Sequence, residues 1–273
     1  MTNILEQIVA HKKTEITALD ARALRHAAES SPVPRDFLSG LGVRERQRFG
    51  SRPSLIAELK RASPSKGILA SFLDLFQIAD IYTENGASAI SVLTDEKFFM
   101  GKLETLRELR FTRRSKLPLL RKDFIIDEIQ IYESRANGAD ATLLIAAALL
   151  DDKHLADLHA LTLALGLTPL VEVHNEVETE RALKLKEVRF IGINNRDLAT
   201  FDVSLSTTER LRPIIPSEIV VVAESGIFTV NDVERLAHAN VDAMLVGEAL
   251  ITAPDIASKV RELSGLNVQT FER

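Results

Sequence analysis

The stretch Ala141–Val173 reads ATLLIAAALLDDKHLADLHALTLALGLTPLVEV and predicts a strand, a helix and a second strand, in that order. Ala141–Ala146 and Pro169–Val173 are short apolar runs. Between them, Asp151–Leu165 is amphipathic and is followed by Gly166, a typical helix stop signal. When a helix joins two consecutive strands, the strands lie parallel in the sheet and the connection is a right-handed crossover. The stretch therefore predicts one unit of an α/β protein.

The same unit recurs on both sides of this stretch. Six further apolar runs have strand character, and they are Leu55–Lys60, Ala89–Thr94, Leu117–Lys122, Arg189–Asn194, Glu218–Ala223 and Asp242–Val246. The amphipathic stretches between the strands are Leu73–Glu84, Lys102–Arg113, Asp127–Ala136, Val177–Lys186, Thr207–Ile214 and Val230–Ala239. Eight strands that alternate with helices predict an α/β protein with a single (β/α)8 TIM barrel. An open doubly wound sheet is the alternative, but no Gly-x-Gly-x-x-Gly follows the first strand.

Residues 1–50 carry a different pattern. Apolar residues recur there at helical spacing with charges between them, at Ile4, Leu5, Ile8, Val9, Ile16, Leu19 and Leu24. This spacing predicts one or two amphipathic helices. We therefore expect a helical extension over 1–50, packed on a catalytic barrel domain over 51–273. The extension either caps the barrel floor, which is the interpretation we favour, or faces the substrate.

The composition excludes several kinds of site and partner. A formal net charge of −5 gives no reason to expect nucleic acid or a membrane as a partner. Without cysteine there are no disulfides, thiolate metal sites or cysteine nucleophiles, and the six histidines form no metal motif. The longest apolar run, Leu143–Leu150, is far shorter than the roughly 20 residues that a bilayer requires. We predict a cytoplasmic protein that is monomeric, with a weak dimer as the alternative.

Charged residues occur inside strands that should be apolar. In Leu55–Lys60, side chains two apart point the same way, so Glu58 and Lys60 share the face of Ile56. The pattern is repeated by Leu120 with Lys122, by Leu170 with Glu172, by Asn194 with Arg196, and by Glu224-Ser225-Gly226. If this face is inward, the polar groups converge on the C-terminal end of the barrel, where barrel enzymes have their active sites. The alternative is a structural ion-pair network that fills the barrel top.

The last two strands are followed by glycine-containing turns. Gly226 follows the seventh strand, and Gly247-Glu248 follows the eighth at the start of a predicted short helix. Backbone amides and a helix N-terminus in such turns can hold a phosphate group.

Two other loops have alternative interpretations. Ser63 lies in a mobile catalytic loop or a plain turn, and Phe99 stacks on an aromatic substrate or packs its own loop.

The sequence resembles the indole-3-glycerol-phosphate synthase family of tryptophan biosynthesis along nearly its whole length. The matching stretches are Ile-Ala-Glu58-Leu-Lys60-Arg-Ala-Ser63-Pro-Ser-Lys-Gly67, Ser-Val-Leu-Thr-Asp-Glu-Lys-Phe-Phe99, Leu-Leu-Arg-Lys122-Asp-Phe124, Leu-Val-Glu172-Val-His, Ile-Gly-Ile-Asn194-Asn-Arg196-Asp-Leu and Ala-Glu224-Ser225-Gly226-Ile. The resemblance implies a carboxy-lyase that needs no cofactor and no metal. It would close the ring of 1-(2-carboxyphenylamino)-1-deoxyribulose 5-phosphate and release indole-3-glycerol phosphate, CO2 and water.

The resemblance also implies roles for individual residues. Lys122 would be the general acid that protonates the ribulose carbonyl, and Lys60 would bind the anthranilate carboxylate and assist the later dehydration. Glu58 and Glu172 would act as base and as stabilisers of the iminium intermediate, with the division of acid and base roles left open. Asn194 and Ser225 would complete the catalytic set by holding the sugar. The expected substrate- and phosphate-binding residues are Ser63, Phe99, Phe124, Arg196, Glu224, Gly226, Gly247 and Glu248.

Two other hypotheses remain open. A sister barrel enzyme, such as phosphoribosylanthranilate isomerase or the tryptophan synthase α subunit, would share the phosphate site. The isomerase typically uses a cysteine and an aspartate, and this chain has no cysteine. A barrel that binds the ligand without catalysis would also keep the residues at the mouth.

Overall fold

The computed structural model describes residues 4–42, 52–63, 67–68, 74–197 and 200–266. Eight parallel strands close into a barrel in sequence order, which confirms the predicted TIM barrel. The strands are β1 (Ser54–Leu59), β2 (Ala89–Leu93), β3 (Leu119–Lys122), β4 (Ala141–Ile145), β5 (Thr168–Val173), β6 (Phe190–Asn194), β7 (Val220–Glu224) and β8 (Ala243–Val246). Their ends differ from the predicted ends by one or two residues at most.

The helices include three before the barrel and a series around it. They are α1 (Ile4–Ile16), α2 (Ala21–Ser30), α3 (Phe37–Gly40), α4 (Leu75–Glu84), α5 (Glu96–Phe99), α6 (Leu103–Arg107), α7 (Glu128–Ala136), α8 (Asp152–Ala164), α9 (Glu176–Leu183), α10 (Ser206–Leu211), α11 (Val230–His238), α12 (Glu248–Ile251) and α13 (Ile256–Ser264). A π-helical turn continues α6, and a 3₁₀ turn containing Pro213 ends α10. The sequence analysis missed α5 and α13, although Asp255 and Gly265 cap α13 as expected of a helix.

Strand alternation separates two apolar layers. One layer fills the barrel interior and includes Ile56, Leu120 and Leu170, the residues predicted to lie below the charged groups. The other layer lies between the strands and the surrounding helices. Because Glu58, Lys122 and Glu172 are each two positions beyond an interior residue, they continue the inward face toward the mouth.

The N-terminal helices run from one end of the barrel to the other. The apolar side chains of α1 line the cleft at the mouth, and α2 packs against α7. Phe37 of α3 is fully buried in the interior layer, where its ring lies 5.9 Å from that of Phe190. The favoured interpretation, a floor cap, is therefore right for α3 and wrong for α1. The predicted domain boundary between residues 50 and 51 lies outside the described residues.

No helix in the described ranges is both long and apolar enough to span a membrane.

Candidate active site

A lysine and a glutamate leave the end of β1 together. Lys60 Nζ lies 3.2 Å from Glu58 Oε1, and the Glu58 side chain is buried. Gly247 at the end of β8 makes room for this carboxylate, since a Cβ there would lie 2.5 Å from Glu58 Oε1. The glycine after β8 is thus required by the neighbouring acid.

Lys122 lies among buried carboxylates from two other strands. Its Nζ is 3.5 Å from Glu224 Oε2 and 3.8 Å from Glu172 Oε2. Burial acts to lower the pKa of Lys122, but the carboxylates of Glu224, Glu172 and Glu58 raise it well above its ordinary value. Lys122 is therefore an ammonium group at neutral pH and carries a proton that it can donate.

The two carboxylates beside Lys122 differ in their affinity for a proton. Burial raises the pKa of Glu224, and the negative charge of Glu172 raises it further. Burial also acts to raise the pKa of Glu172, but Lys122 and His174 overcome it and hold that pKa below its ordinary value. One carboxylate is thus kept ionised while its neighbour tends to hold a proton, which is the arrangement that acid–base chemistry uses.

Asn194 and Arg196 continue from the end of β6. The amide of Asn194 donates through Nδ2 to Glu172 Oε1 at 3.1 Å, and its Oδ1 accepts from the backbone amide of Arg196 at 3.0 Å. Arg196 Nη2 lies 3.9 Å from Glu248 Oε2. The Arg196 guanidinium therefore stands at the edge of the cleft with a carboxylate close by.

The turn after β7 holds two consecutive residues in the left-handed region. Ser225 has φ +67° and Gly226 has φ +79°. A non-glycine residue in this conformation is uncommon and often marks a functional site. The Ser225 carbonyl accepts from Asn195 Nδ2 at 3.1 Å. The Gly226 amide has no acceptor among the described residues and so stays available to a ligand.

The cleft has two halves that share the charged residues. The glycine half is lined by Ser225, Gly226, Gly247, Glu248 and Ala249, and α12 begins there. The apolar half is lined by Ile4, Leu5, Ile8, Phe99, Phe124 and Phe201. Glu58, Lys60, Lys122, Arg196 and Ser225 border both halves. The mouth therefore changes from apolar to charged to glycine-lined across its width.

The rings of Phe99 and Phe124 form the aromatic part of the apolar half. Their centroids are 5.9 Å apart with planes inclined at 32°, a tilted contact between neighbouring loops. Phe98 points elsewhere and meets His11 of α1 edge-on, with a centroid distance of 6.0 Å. Of the two phenylalanines in this loop, Phe99 faces the cleft.

A buried lysine holds α1 over the mouth. Lys12 Nζ lies 2.7 Å from Glu15, 3.0 Å from Asp95 and 2.9 Å from Asp123. Asp123, which directly follows Lys122, also accepts from Thr94 Oγ1 at 2.6 Å. Burial acts to raise the pKa of Asp123, but Arg121 and Lys12 lower it to about 2. These ion pairs fix the helix to the loops after β2 and β3.

The structure brings together almost the whole set expected from the sequence. Ser63 belongs to a two-residue strand paired with Gly67–Ile68, but its side chain lies outside the described part of the chain. Sequence reasoning kept a position of the extension at the mouth only as the less favoured alternative, and it missed the anchor Lys12 and the role of Asp123. The apolar spacing of α1 identifies the helix but not the end of the barrel that it covers.

The cleft is open to solvent, and its apolar half contains about 830 Å³ of empty space when the opening is included. In the ranges that the structure describes, no group of three or more histidine, aspartate or glutamate side chains could hold a metal ion.

Comparisons with known proteins identify the family. The family model described as "Indole-3-glycerol phosphate synthase" matches residues 5–263. An indole-3-glycerol phosphate synthase of Roseiflexus sp. (strain RS-1) is 50% identical over 276 residues, covering 97% of this chain and 99% of the relative. One from Dehalococcoides mccartyi (strain CBDB1) is 57% identical over 215 residues, covering 78% and 82%.

Among solved structures, 3-hexulose-6-phosphate synthase from Salmonella typhimurium superposes with a TM-score of 0.62 at 14% identity, covering 78% of this chain and 97% of that one. This likeness bears on the fold alone. The family match and the close relatives span most of the chain. The chain therefore belongs to the indole-3-glycerol phosphate synthase family.

Proposed function

We propose that this chain closes the indole ring of 1-(2-carboxyphenylamino)-1-deoxyribulose 5-phosphate, releasing CO2 and water and leaving indole-3-glycerol phosphate. The single observation that carries the proposal is the order of surfaces across the mouth. An apolar half, a charged centre and a glycine half follow one another. The substrate has the same order, since an aryl ring, a ribulose chain and a phosphate succeed each other along it.

Each end of the substrate has a matching surface in the cleft. The aryl ring fits between Phe99, Phe124 and the apolar residues of α1. The phosphate fits against Gly226, Gly247 and the start of α12, where backbone amides can point at its oxygens. Arg196 and Lys60 can neutralise anionic oxygens at the rim.

The charged centre suits the bond-forming step. As the ring carbon attacks the ribulose carbonyl, the oxygen needs a proton, and the ammonium of Lys122 supplies it. Positive charge develops on the nitrogen at the same time, and the carboxylates of Glu58 and Glu172 stabilise it. Loss of CO2 restores electrons to the ring, and loss of water then completes the indole. Lys60 and Glu58, 3.2 Å apart, suit the proton transfers of this last stage.

Asn194 and Ser225 hold the sugar in this proposal, with Ser63 and Glu248 at its margins. Asn194 already fixes one oxygen of Glu172, so a sugar hydroxyl bound there would be placed beside the catalytic carboxylate. Glu224 tends to hold a proton and can donate a hydrogen bond to the substrate in that form. We also propose that the protein is cytoplasmic and monomeric. Fractionation of cells tests its location, and gel filtration with light scattering tests its oligomeric state.

One fluorescence assay tests the function. Purified protein is mixed with 1-(2-carboxyphenylamino)-1-deoxyribulose 5-phosphate, and indole fluorescence and CO2 release are followed together. We expect both to rise in equal amounts. Turnover of phosphoribosylanthranilate without cyclisation would favour the isomerase alternative. Calorimetric binding of the substrate with no indole signal would favour a non-enzymatic barrel.

A further inference from the structure

His174 lies immediately behind a residue of the proposed catalytic set. It is two positions beyond Glu172, so both side chains leave β5 on the same face. Its Nε2 is 3.3 Å from Glu172 Oε1. The alignment at Nε2 falls short of a hydrogen bond, which makes the contact one of charge. Glu172 lines the cleft, whereas His174 is absent from the described residues that line it.

Glu178 holds the other side of the imidazole. His174 Nδ1 lies 3.0 Å from Glu178 Oε2, and the backbone amide of His174 donates to the same oxygen at 2.8 Å. The second oxygen of Glu178 accepts from Asn175 Nδ2 at 2.7 Å. Asn175 is also the N-cap of α9, and its Oδ1 accepts from the Glu178 amide. The Glu178 carboxylate is thus fixed at the start of a helix, and it cannot turn away from the imidazole without losing its hydrogen bonds with Asn175 Nδ2 and the His174 amide.

We propose that His174 is a positioning residue for the ring-closing reaction, its imidazolium held by Glu178 so that Glu172 stays ionised and correctly placed. The inference rests on the proposed function, because it concerns how that reaction's carboxylate is kept ready. His174 does not touch the substrate in this proposal. It acts only through Glu172.

The charges around the pair support a cationic imidazole. Glu172 and Glu178 face His174, while Lys122 of β3 and Glu224 of β7 face Glu172 on its other side. Burial acts to lower the pKa of His174, but its contacts with the carboxylates of Glu172 and Glu178 raise it to about 10. Without the charge on His174, Lys122 would be the one cation left beside Glu172 among the described residues. Glu172 would then take up a proton more readily.

The charge state is tested without turnover. The histidines are labelled with nitrogen-15, and the NMR signal of His174 is assigned as the one that disappears in His174→Asn. We expect this signal to show an imidazolium at pH 8. Glu178→Gln should bring its titration back toward the ordinary value of about 6.5. Glu176→Gln is the matched control, because Glu176 lies on the same helix but pairs with Arg210 at the surface. A wild-type His174 that titrates near 6.5 would overturn the proposal.

A double-mutant cycle tests the action through Glu172. His174→Asn should lower kcat by about tenfold to a hundredfold, the usual size of such supporting contacts. In a Glu172→Gln background, the same change should lower kcat by less than about twofold, because the residue it acts on has already lost its charge. If the double variant loses as much kcat as the product of the two single losses, the proposal is contradicted. If His174→Asn does not fold, Glu178→Gln replaces it in the cycle. If the wild-type protein shows no turnover, the proposed function is refuted instead. The NMR experiment would still show whether His174 is charged.

Discussion

The two ends of the barrel bury acidic side chains in opposite ways. At the floor, Asp140 is fully buried, and its oxygens accept hydrogen bonds from the Arg35 backbone, the Arg35 guanidinium and the Leu119 amide at 2.6–3.0 Å. At the mouth, Glu224 is equally buried, but neither of its oxygens accepts a hydrogen bond from any described residue. Its nearest cation, Lys122, is 3.5 Å away.

This difference distinguishes a structural charge at the floor from the charges that we propose to be catalytic at the mouth. A buried carboxylate whose hydrogen bonds are all made by the protein stabilises the fold and has no capacity left for a ligand. A buried carboxylate that lacks such partners costs stability but can exchange protons and bind substrate. Substitutions at the two ends should therefore affect different measurements.

The largest effect on activity is expected from Lys122→Met. Removing the proposed general acid should lower kcat by roughly 10²–10⁴. The melting temperature should also fall, because the buried carboxylates of Glu172 and Glu224 lose a neighbouring cation. Indole fluorescence and a thermal melt measure the two quantities, with Lys116→Met, three residues before β3, as the exposed control. A folded variant whose kcat stays within about tenfold of the wild-type value would remove Lys122 from the chemistry.

The largest loss of stability is expected from Asp140→Asn at the floor. The substitution removes the buried carboxylate that pairs with both Arg35 and Arg110, and because the Arg35 side chain is partly exposed, the free energy of unfolding should fall by about 3 kcal/mol, the lower end for a broken buried pair. The kcat of the protein that remains folded should not change. Denaturant unfolding and the activity assay measure these effects, with the exposed Asp157→Asn as control. A large fall in kcat at unchanged stability would argue against a purely structural role.

Glu224→Gln should raise the stability of the protein and lower its kcat. A pKa raised by burial means that the folded state binds the proton more tightly, so the stability contribution of Glu224 falls as pH rises above its ordinary value of about 4.3. Glutamine avoids this cost and should add roughly 1–3 kcal/mol at pH 8, with little gain near pH 4. Unfolding curves across that range test the sign. A gain that is largest at pH 4 would contradict it.

The smallest effect on activity is expected from Lys12→Met. The charge on Lys12 is fully paired although it lies at the mouth, so it should behave as a structural charge that holds α1 in place. Loosening the helix weakens binding of substrate and transition state alike, which should raise KM by about threefold to tenfold and leave kcat within about twofold. Lys13→Met, on the exposed side of α1, is the control. A kcat loss as large as that of Lys122→Met would place Lys12 in the chemistry.

The barrel and the line of charged strand ends followed from the sequence because both depend on local periodicity. The alternation that puts Glu58 above Ile56 is a property of any strand, and the C-terminal ends of parallel strands always meet. The resemblance to a known family then supplied expected roles for these residues, and those roles stay predictions.

The contacts between distant segments did not follow from the sequence. Lys12 reads as an ordinary charge on an amphipathic helix, and only the fold shows that Asp95 and Asp123 surround it. The contact of His174 is local, but the sequence places His174 only after Glu172 at a strand end, and it does not show that Glu178, four residues further on, lies against the imidazole. The short helix α5 also escaped notice, since four residues give too little periodicity to detect.

The path of residues 4–42 along the barrel has a consequence for synthesis of the protein. This segment leaves the ribosome before the barrel strands, yet Lys12 meets its carboxylates only after the third strand has been made, and Phe37 meets Phe190 only after the sixth. A segment that is translated before the barrel is therefore among the last to settle on it. Until it does, the nascent barrel has an open floor and an unfinished cleft.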